Sequence, residues 1–237
     1  MPRRPRLELP GCAMHLTQRG NNRCAVFLDD EDFNHYRQTV HDVFSEHAIQ
    51  LHAYVLMTNH VHLLLTAPAN GALSKAMRIV GARYVPYFNK RHDRSGTLWQ
   101  GRFKTCLVDN EHYCLNVMRY IELNPVRAML TETPEAYRWS SVHQHIGTSE
   151  DKLLTEHNSY LELGTNNPAR YNAYQQILAK GMTDADTTDI RLRIQQERAL
   201  GSPRFMALVE KTLNRPVQWR KCGRPIVNSN ANDLRPL

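Results

Sequence analysis

The sequence predicts an α+β protein with a ferredoxin-like split βαβ core on an antiparallel sheet, followed by a mainly helical C-terminal extension. Three observations predict it. Strand-like and helical patterns alternate in the order β-α-β-β-α-β over the first 108 residues, the order that closes one antiparallel sheet with two helices on one face. Two of the strand-like segments are separated only by Thr58-Asn59, which requires a tight hairpin. From Thr148 onward strand signals give way to helical ones, so the core is placed at residues 1–147 and the extension at 148–237.

Residues 12–19 read as the first strand, ended by Gly20-Asn21-Asn22. Asp29 to Asp32 supply acidic N-cap chemistry for a helix over 31–47. Leu51–Met57 and His60–Thr66 form the hairpin. Leu73 to Lys90 is amphipathic, with Leu73, Met77, Val80, Tyr84 and Tyr87 near helical spacing, and Pro86 is expected to kink it or end it early. Arg102–Val108 is the fourth strand, and a helix over Asn110–Asn124 must stop before Pro125. The extension is expected to hold helices over 168–180, 184–199 and 202–213, then a basic tail.

A 41% hydrophobic content over 237 residues is too apolar for disorder. No segment approaches the length of a membrane span, and the start, Met1-Pro-Arg-Arg-Pro-Arg, lacks the apolar core of a secretory signal, so a cytoplasmic protein with no membrane partner is expected. Cys12, Cys24, Cys106, Cys114 and Cys222 are odd in number, scattered and without a C-x-x-C pair, which disfavours a disulfide framework or a cysteine zinc site.

The formal charge of +7 is segregated. Between Lys75 and Lys104 eight basic residues face one acid, Asp93, and between Arg198 and Arg224 seven face one, Glu210. Such blocks suit a polyanion. Arg78, Arg83, Lys90 and Arg91 are read as phosphate contacts because nothing acidic nearby neutralises them, with Arg102 and Lys104 flanking the active site. The mixture of these cations with Tyr84, Tyr87, Phe88 and Trp99 suits a single strand with splayed bases, although Tyr84 and Phe88 are themselves expected in the core. Gly223-Arg224-Pro225 resembles the core of an AT-hook without the preceding arginine, and Arg224 is read as part of an arm that grips a DNA stem.

Chemistry concentrates in two places. His60-Val61-His62 on a strand projects both imidazoles from one face, a chelating geometry. Tyr120 and Asn124 share a helical face at i and i+4, so an amide oxygen at Asn124 can complete a metal site. Each feature has an ordinary alternative: a tyrosine on an amphipathic helix serves as core, and an asparagine before proline as a helix terminus.

Three strings together resemble the REP-associated tyrosine transposases, of the HUH single-strand DNA endonucleases and the IS200-like transposases. They are Met57-Thr-Asn-His-Val-His-Leu-Leu-Leu65, Gly96-Thr-Leu-Trp-Gln-Gly-Arg-Phe-Lys104 and Arg119-Tyr-Ile-Glu-Leu-Asn-Pro-Val-Arg-Ala128. The resemblance implies that His60, His62 and Asn124 hold a divalent metal, Mg²⁺ or Mn²⁺, with Zn²⁺ also able to bind. It implies that Tyr120 attacks DNA, with Tyr113 the rival seven residues earlier on the same stripe. It further implies cutting of single-stranded DNA at palindromic repeat hairpins through a 5′-phosphotyrosine link, by a monomer or homodimer. The competing readings are a domesticated, non-catalytic DNA-hairpin-binding protein with the same fold, and a metal-dependent enzyme acting on RNA.

Overall fold

The computed structural model describes residues 6–109, 113–215 and 217, and the Gly223–Pro225 motif with Arg224 lies outside them. Five strands form one sheet: β1 (Ala13–Arg19), β2 (Gln50–Met57), β3 (His60–Thr66), β4 (Lys104–Val108) and β5 (Ala199–Leu200), in the order β2-β3-β1-β4-β5. The first four pair antiparallel, with the interleaved order of a split βαβ core. The two-residue strand β5 pairs parallel with β4 and was not foreseen from sequence.

The sheet is covered on both faces. Met14, Leu16, Tyr54, Leu56, Val61, Leu63 and Leu65 alternate onto the face beneath α1 (Asp30–Glu46) and α2 (Ala72–Arg91). Ala13, Val55, Leu64, Cys106 and Val108 point the other way, beneath α3 (Cys114–Glu122). Period-two alternation thus splits each strand between two cores, and the histidine pair goes with the second.

Helix α1 is capped as the acidic cluster suggests, the Asp29 side chain accepting from the backbone N–H groups of Glu31 and Asp32. Helix α2 departs from expectation by running unbroken through Pro86 to Arg91. A mid-helix proline costs about 3 kcal/mol, but here Tyr84 and Phe88 on either side are fully buried, and the Tyr84 hydroxyl donates to the Val26 carbonyl at 2.6 Å. Packing overrides the local preference. Strand β4 begins two residues later than expected, because Gly101 takes a left-handed φ of 68° and Phe103 lies under the Arg6 guanidinium at 3.7 Å.

Helix α3 stops at Glu122, before Pro125 as expected, but Asn124–Arg127 then forms one further turn, α4, with Pro125 at its start. Proline is welcome there because its missing N–H would be unpaired in any case. Two more short turns, α5 (Val142–His145) and α6 (Asn158–Leu161), precede α7 (Asn167–Ala179), α8 (Asp184–Gln196) and α9 (Pro203–Leu213). The expected helix over 184–199 ends early because Glu197 adopts a left-handed φ of 52°, which turns the chain into β5. Among the described residues no helix is long and apolar enough to cross a membrane.

Candidate active site

His60 and His62 project from β3 toward α3, while Val61 and Leu63 between and beyond them enter the core under α1 and α2. The two imidazole centroids are 5.1 Å apart. On the neighbouring strand β1, Arg19 stands opposite His60 and Thr17 opposite His62. Helix α3 lays the Tyr120 ring edge-on to His62 at 5.8 Å and to His15 at 5.7 Å. One turn on, Asn124 is 8% exposed, and its amide nitrogen is buried without a partner in the protein.

Neighbouring side chains fix how the imidazoles present themselves. His60 Nδ1 lies 2.6 Å from Asn59 Oδ1, and the Asn59 amide nitrogen donates to the Arg23 carbonyl. That second contact assigns the oxygen to the histidine side, so His60 donates from Nδ1 and keeps the Nε2 lone pair. His62 Nδ1 faces His15 Nε2 at 2.8 Å inside the protein. When His15 carries its proton on Nδ1, His62 becomes the donor and its Nε2 is likewise left as a ligand. Burial, and then the neighbouring Arg19, lowers His60 to about 4. Burial, reinforced by His15 and His60, holds His62 well below its ordinary value. Both rings are therefore neutral near pH 7, the form that binds metal.

Among the described residues no three His, Cys, Asp or Glu side chains gather into a metal-binding group. A metal here would use two imidazoles and the Asn124 amide, a nitrogen and oxygen set that suits Mg²⁺ or Mn²⁺ better than a thiolate site would.

These groups open into a cleft of about 880 Å³ lined also by Gln18, Arg19, Gln100, Arg102, Lys104, Arg127 and, from α8, Arg191 and Gln195. Among the described residues, five cations and no carboxylate line it. The C-terminal segment therefore supplies one wall, secured where Lys104 Nζ donates to the Gln195 carbonyl at 3.3 Å. A second tie lies deeper. The carboxylate of Glu122, fully buried on α3, accepts from Ser141 Oγ, His145 Nδ1 and Tyr174 Oη at 2.5, 2.6 and 2.7 Å.

The structure brings together His60, His62, Tyr120, Asn124, Arg102 and Lys104 in this cleft, and Tyr113, at the start of α3, does not line it. Arg78, Arg83, Lys90 and Arg91 sit on α2, which covers the opposite sheet face, and none lines the cleft. The premise that nothing acidic neutralises them fails for two. Arg91 pairs with Asp29, Glu31 and Asp32 at 2.7, 2.8 and 3.1 Å, and Arg83 approaches Glu46 at 3.5 Å. The acids come from α1, forty to sixty residues away in sequence, where a local charge count does not reach. Tyr84 and Phe88 are core, and Tyr87 stacks on His35 at 3.6 Å.

The sequence pattern of the family described as "Transposase IS200 like" matches residues 8–124, a span that includes His60, His62, Tyr120 and Asn124. The chain carries an IS200-like transposase domain. It is similar to a curated REP-associated tyrosine transposase of Haemophilus influenzae, 27% identical over 136 residues, which are 53% of this chain and 76% of the relative. Its fold resembles a solved REP-associated tyrosine transposase bound to a REP hairpin, with a TM-score of 0.54 and 19% identity over 65% of this chain and 90% of the other. The family gives the domain a transposase-type role in DNA processing.

Sequence reasoning missed several residues in and beside this cleft. His15 was discoverable, because in an antiparallel β1–β3 pair it shares the face of Thr17 and so of His62. Arg127 lies seven residues beyond Tyr120, on the same stripe, but the helix was expected to end first. Arg191 left no signal, since nothing in α8 reveals which strand it will pack on.

Buried imidazoles also link the stability of the transposase domain to pH. Burial is the chief cause lowering His15 to about 3 and His52 and His60 each to about 4, from an ordinary 6.5. Below that ordinary value the unfolded chain binds protons that the folded chain does not, so stability falls as pH falls. The contribution is complete above about pH 6.5 and is lost progressively down to about pH 3. The melting temperature should decline steadily from about pH 7 to about pH 5; a flat profile over that interval would mean that these rings take up protons inside the fold.

Proposed function

We propose that the chain is a single-stranded DNA endonuclease and strand transferase of the transposase type, cutting at palindromic repeat hairpins through a 5′-phosphotyrosine link. One observation carries the reading: a tyrosine, two ligand-competent imidazoles and an amide share a cationic cleft that no carboxylate lines among the described residues. The similarity to a transposase bound to a REP hairpin supports the choice of hairpin DNA as substrate.

A phosphodiester repels nucleophiles through its own negative charge, and five cations around the cleft offset that repulsion while holding the backbone. His60, His62 and Asn124 would hold a divalent metal. When bound, that ion supplies Lewis-acid withdrawal of charge from the phosphate. Helix α3 sets the Tyr120 ring against His62, so the attacking oxygen and the group that orients the phosphate are held on packed secondary structure. Sugar-phosphate chemistry does the rest, because a phenol is a good leaving group and a 3′-hydroxyl can reverse the link.

The test is a labelled hairpin with a single-stranded flank, incubated with Mg²⁺ or Mn²⁺ and resolved on a denaturing gel. Metal-dependent transfer of label to protein is the expected result. His60→Ala and His62→Ala should each lower it about 100-fold or more, the scale of several kcal/mol of Lewis-acid assistance, while hairpin binding stays near wild type. Wild-type protein that binds the hairpin without ever becoming labelled would leave only a DNA-binding role. Either histidine variant cutting at an undiminished rate in Mg²⁺ would remove the metal site.

A further inference from the structure

We infer that Arg127 is a catalytic residue, a guanidinium placed to grip the non-bridging oxygens of the scissile phosphate as Tyr120 attacks it. The inference rests on the nuclease reading above and adds a group to its chemistry.

Arg127 ends α4, one turn beyond Asn124, and lines the cleft with His60, His62 and Tyr120. Its Cζ lies 4.1 Å from the centroid of the Tyr120 ring, and its Nη1 donates to the Tyr120 carbonyl at 3.0 Å. That bond closes the end of α3 and uses one corner of the fork. The remaining corners are the informative part, because among the described residues Nε and Nη2 are buried without an acceptor in good hydrogen-bond geometry, the Tyr120 side chain drawing on the guanidinium from the ring side. Leaving buried donors of a charged group unpaired is costly, and a helix cap needs only one donor. Among the described residues no carboxylate lines the cleft to take up the others. A phosphate offers two acceptor oxygens at the spacing of a guanidinium fork.

In the step concerned, Tyr120 Oη forms a bond to phosphorus and the bond from phosphorus to the 3′ oxygen breaks. The phenol proton leaves to solvent, the departing oxygen takes one up as a 3′-hydroxyl, and nothing is oxidised or reduced. Negative charge gathers on the non-bridging oxygens while phosphorus is five-coordinate, and a fork already fixed on the nucleophile's own ring meets that charge without rearranging.

The experiment compares wild type with Arg127→Gln on hairpins carrying either an ordinary scissile phosphate or a methylphosphonate, whose methyl group replaces one charged oxygen. On ordinary DNA the variant should form adduct about 100- to 1000-fold more slowly. On at least one methylphosphonate stereoisomer, tested separately, the deficit should shrink to within about tenfold, because the charge that Arg127 serves is gone. A variant as fast as wild type on ordinary DNA would overturn the inference. A full deficit persisting on both stereoisomers would overturn it too, since a structural role for Arg127 does not depend on phosphate charge. If Arg127→Gln fails a thermal-melting check, Arg127→Lys, which keeps charge without the fork, is judged by the same substrate comparison. Wild-type protein that forms no adduct on ordinary DNA would sink the nuclease reading and this inference with it.

Discussion

Tyr120→Phe should give a folded protein that binds hairpin DNA and metal but forms no covalent adduct, a fall of at least about 10⁴-fold on the scale seen when covalent enzymes lose their nucleophile. The substitution removes one oxygen and keeps the ring, and the ring makes the contacts. It lies edge-on to His15 and His62 and beneath the Arg127 guanidinium, so the imidazoles and the α3–α4 corner stay in place. Tyr113→Phe should still form adduct, because Tyr113 does not line the cleft. Peptide mapping gives an independent measurement. Trypsin cuts after Arg119 and Arg127, so the nucleotide should ride on the fragment Tyr120–Arg127, separated from Tyr113. A nucleotide on the Tyr113 peptide would move the nucleophile, and an adduct undiminished in Tyr120→Phe would dismiss Tyr120.

The largest effect on stability is expected at Glu122, which never meets the cleft. It sits between Tyr120 and Asn124 on the chain, and its carboxylate gathers donors from Ser141, from His145 on α5 and from Tyr174 on α7. Glu122→Ala leaves His145 Nδ1 and Tyr174 Oη buried without an acceptor, leaves Ser141 Oγ only the Tyr54 carbonyl at 3.2 Å, and opens a void at the joint. Breaking a buried charged network of this kind costs about 3–5 kcal/mol, or roughly 10 °C or more in melting temperature for a chain of this size. Glu122→Gln keeps the shape and two acceptor lone pairs and should lose about 1–2 kcal/mol. Chemical denaturation distinguishes the two. A Glu122→Ala protein within about 1 kcal/mol of wild type would mean that the donors find water or other partners.

Much of the core was legible because its signals are local. Alternation over residues 51–66 gave both hairpin strands and the shared face of His60 and His62, and the i, i+4 spacing placed Tyr120 and Asn124 together. Pro86 misled because backbone preference is local while the burial of Tyr84 and Phe88 is not. Arg83 and Arg91 looked unpaired for the same reason, their acids arriving through the packing of α1 on α2. A strand of two residues has no period to detect, so Ala199–Leu200 and the cleft wall that precedes it were invisible. The resemblance named the chemistry without naming His15, and it took in Arg127 within its third string without giving it a role; both stand beside the recognised residues in space.

The late strand has a bearing on how the protein is made. Leu107 and Val108 pair with Ala199 and Leu200, so some ninety further residues must leave the ribosome before β4 acquires its outer neighbour. Until then the nascent sheet ends in a row of unmatched amide and carbonyl groups, a template on which strands of other chains can add. The same interval withholds α8 from the cleft, so the groove gains its last side only once residues 184–196 have been made.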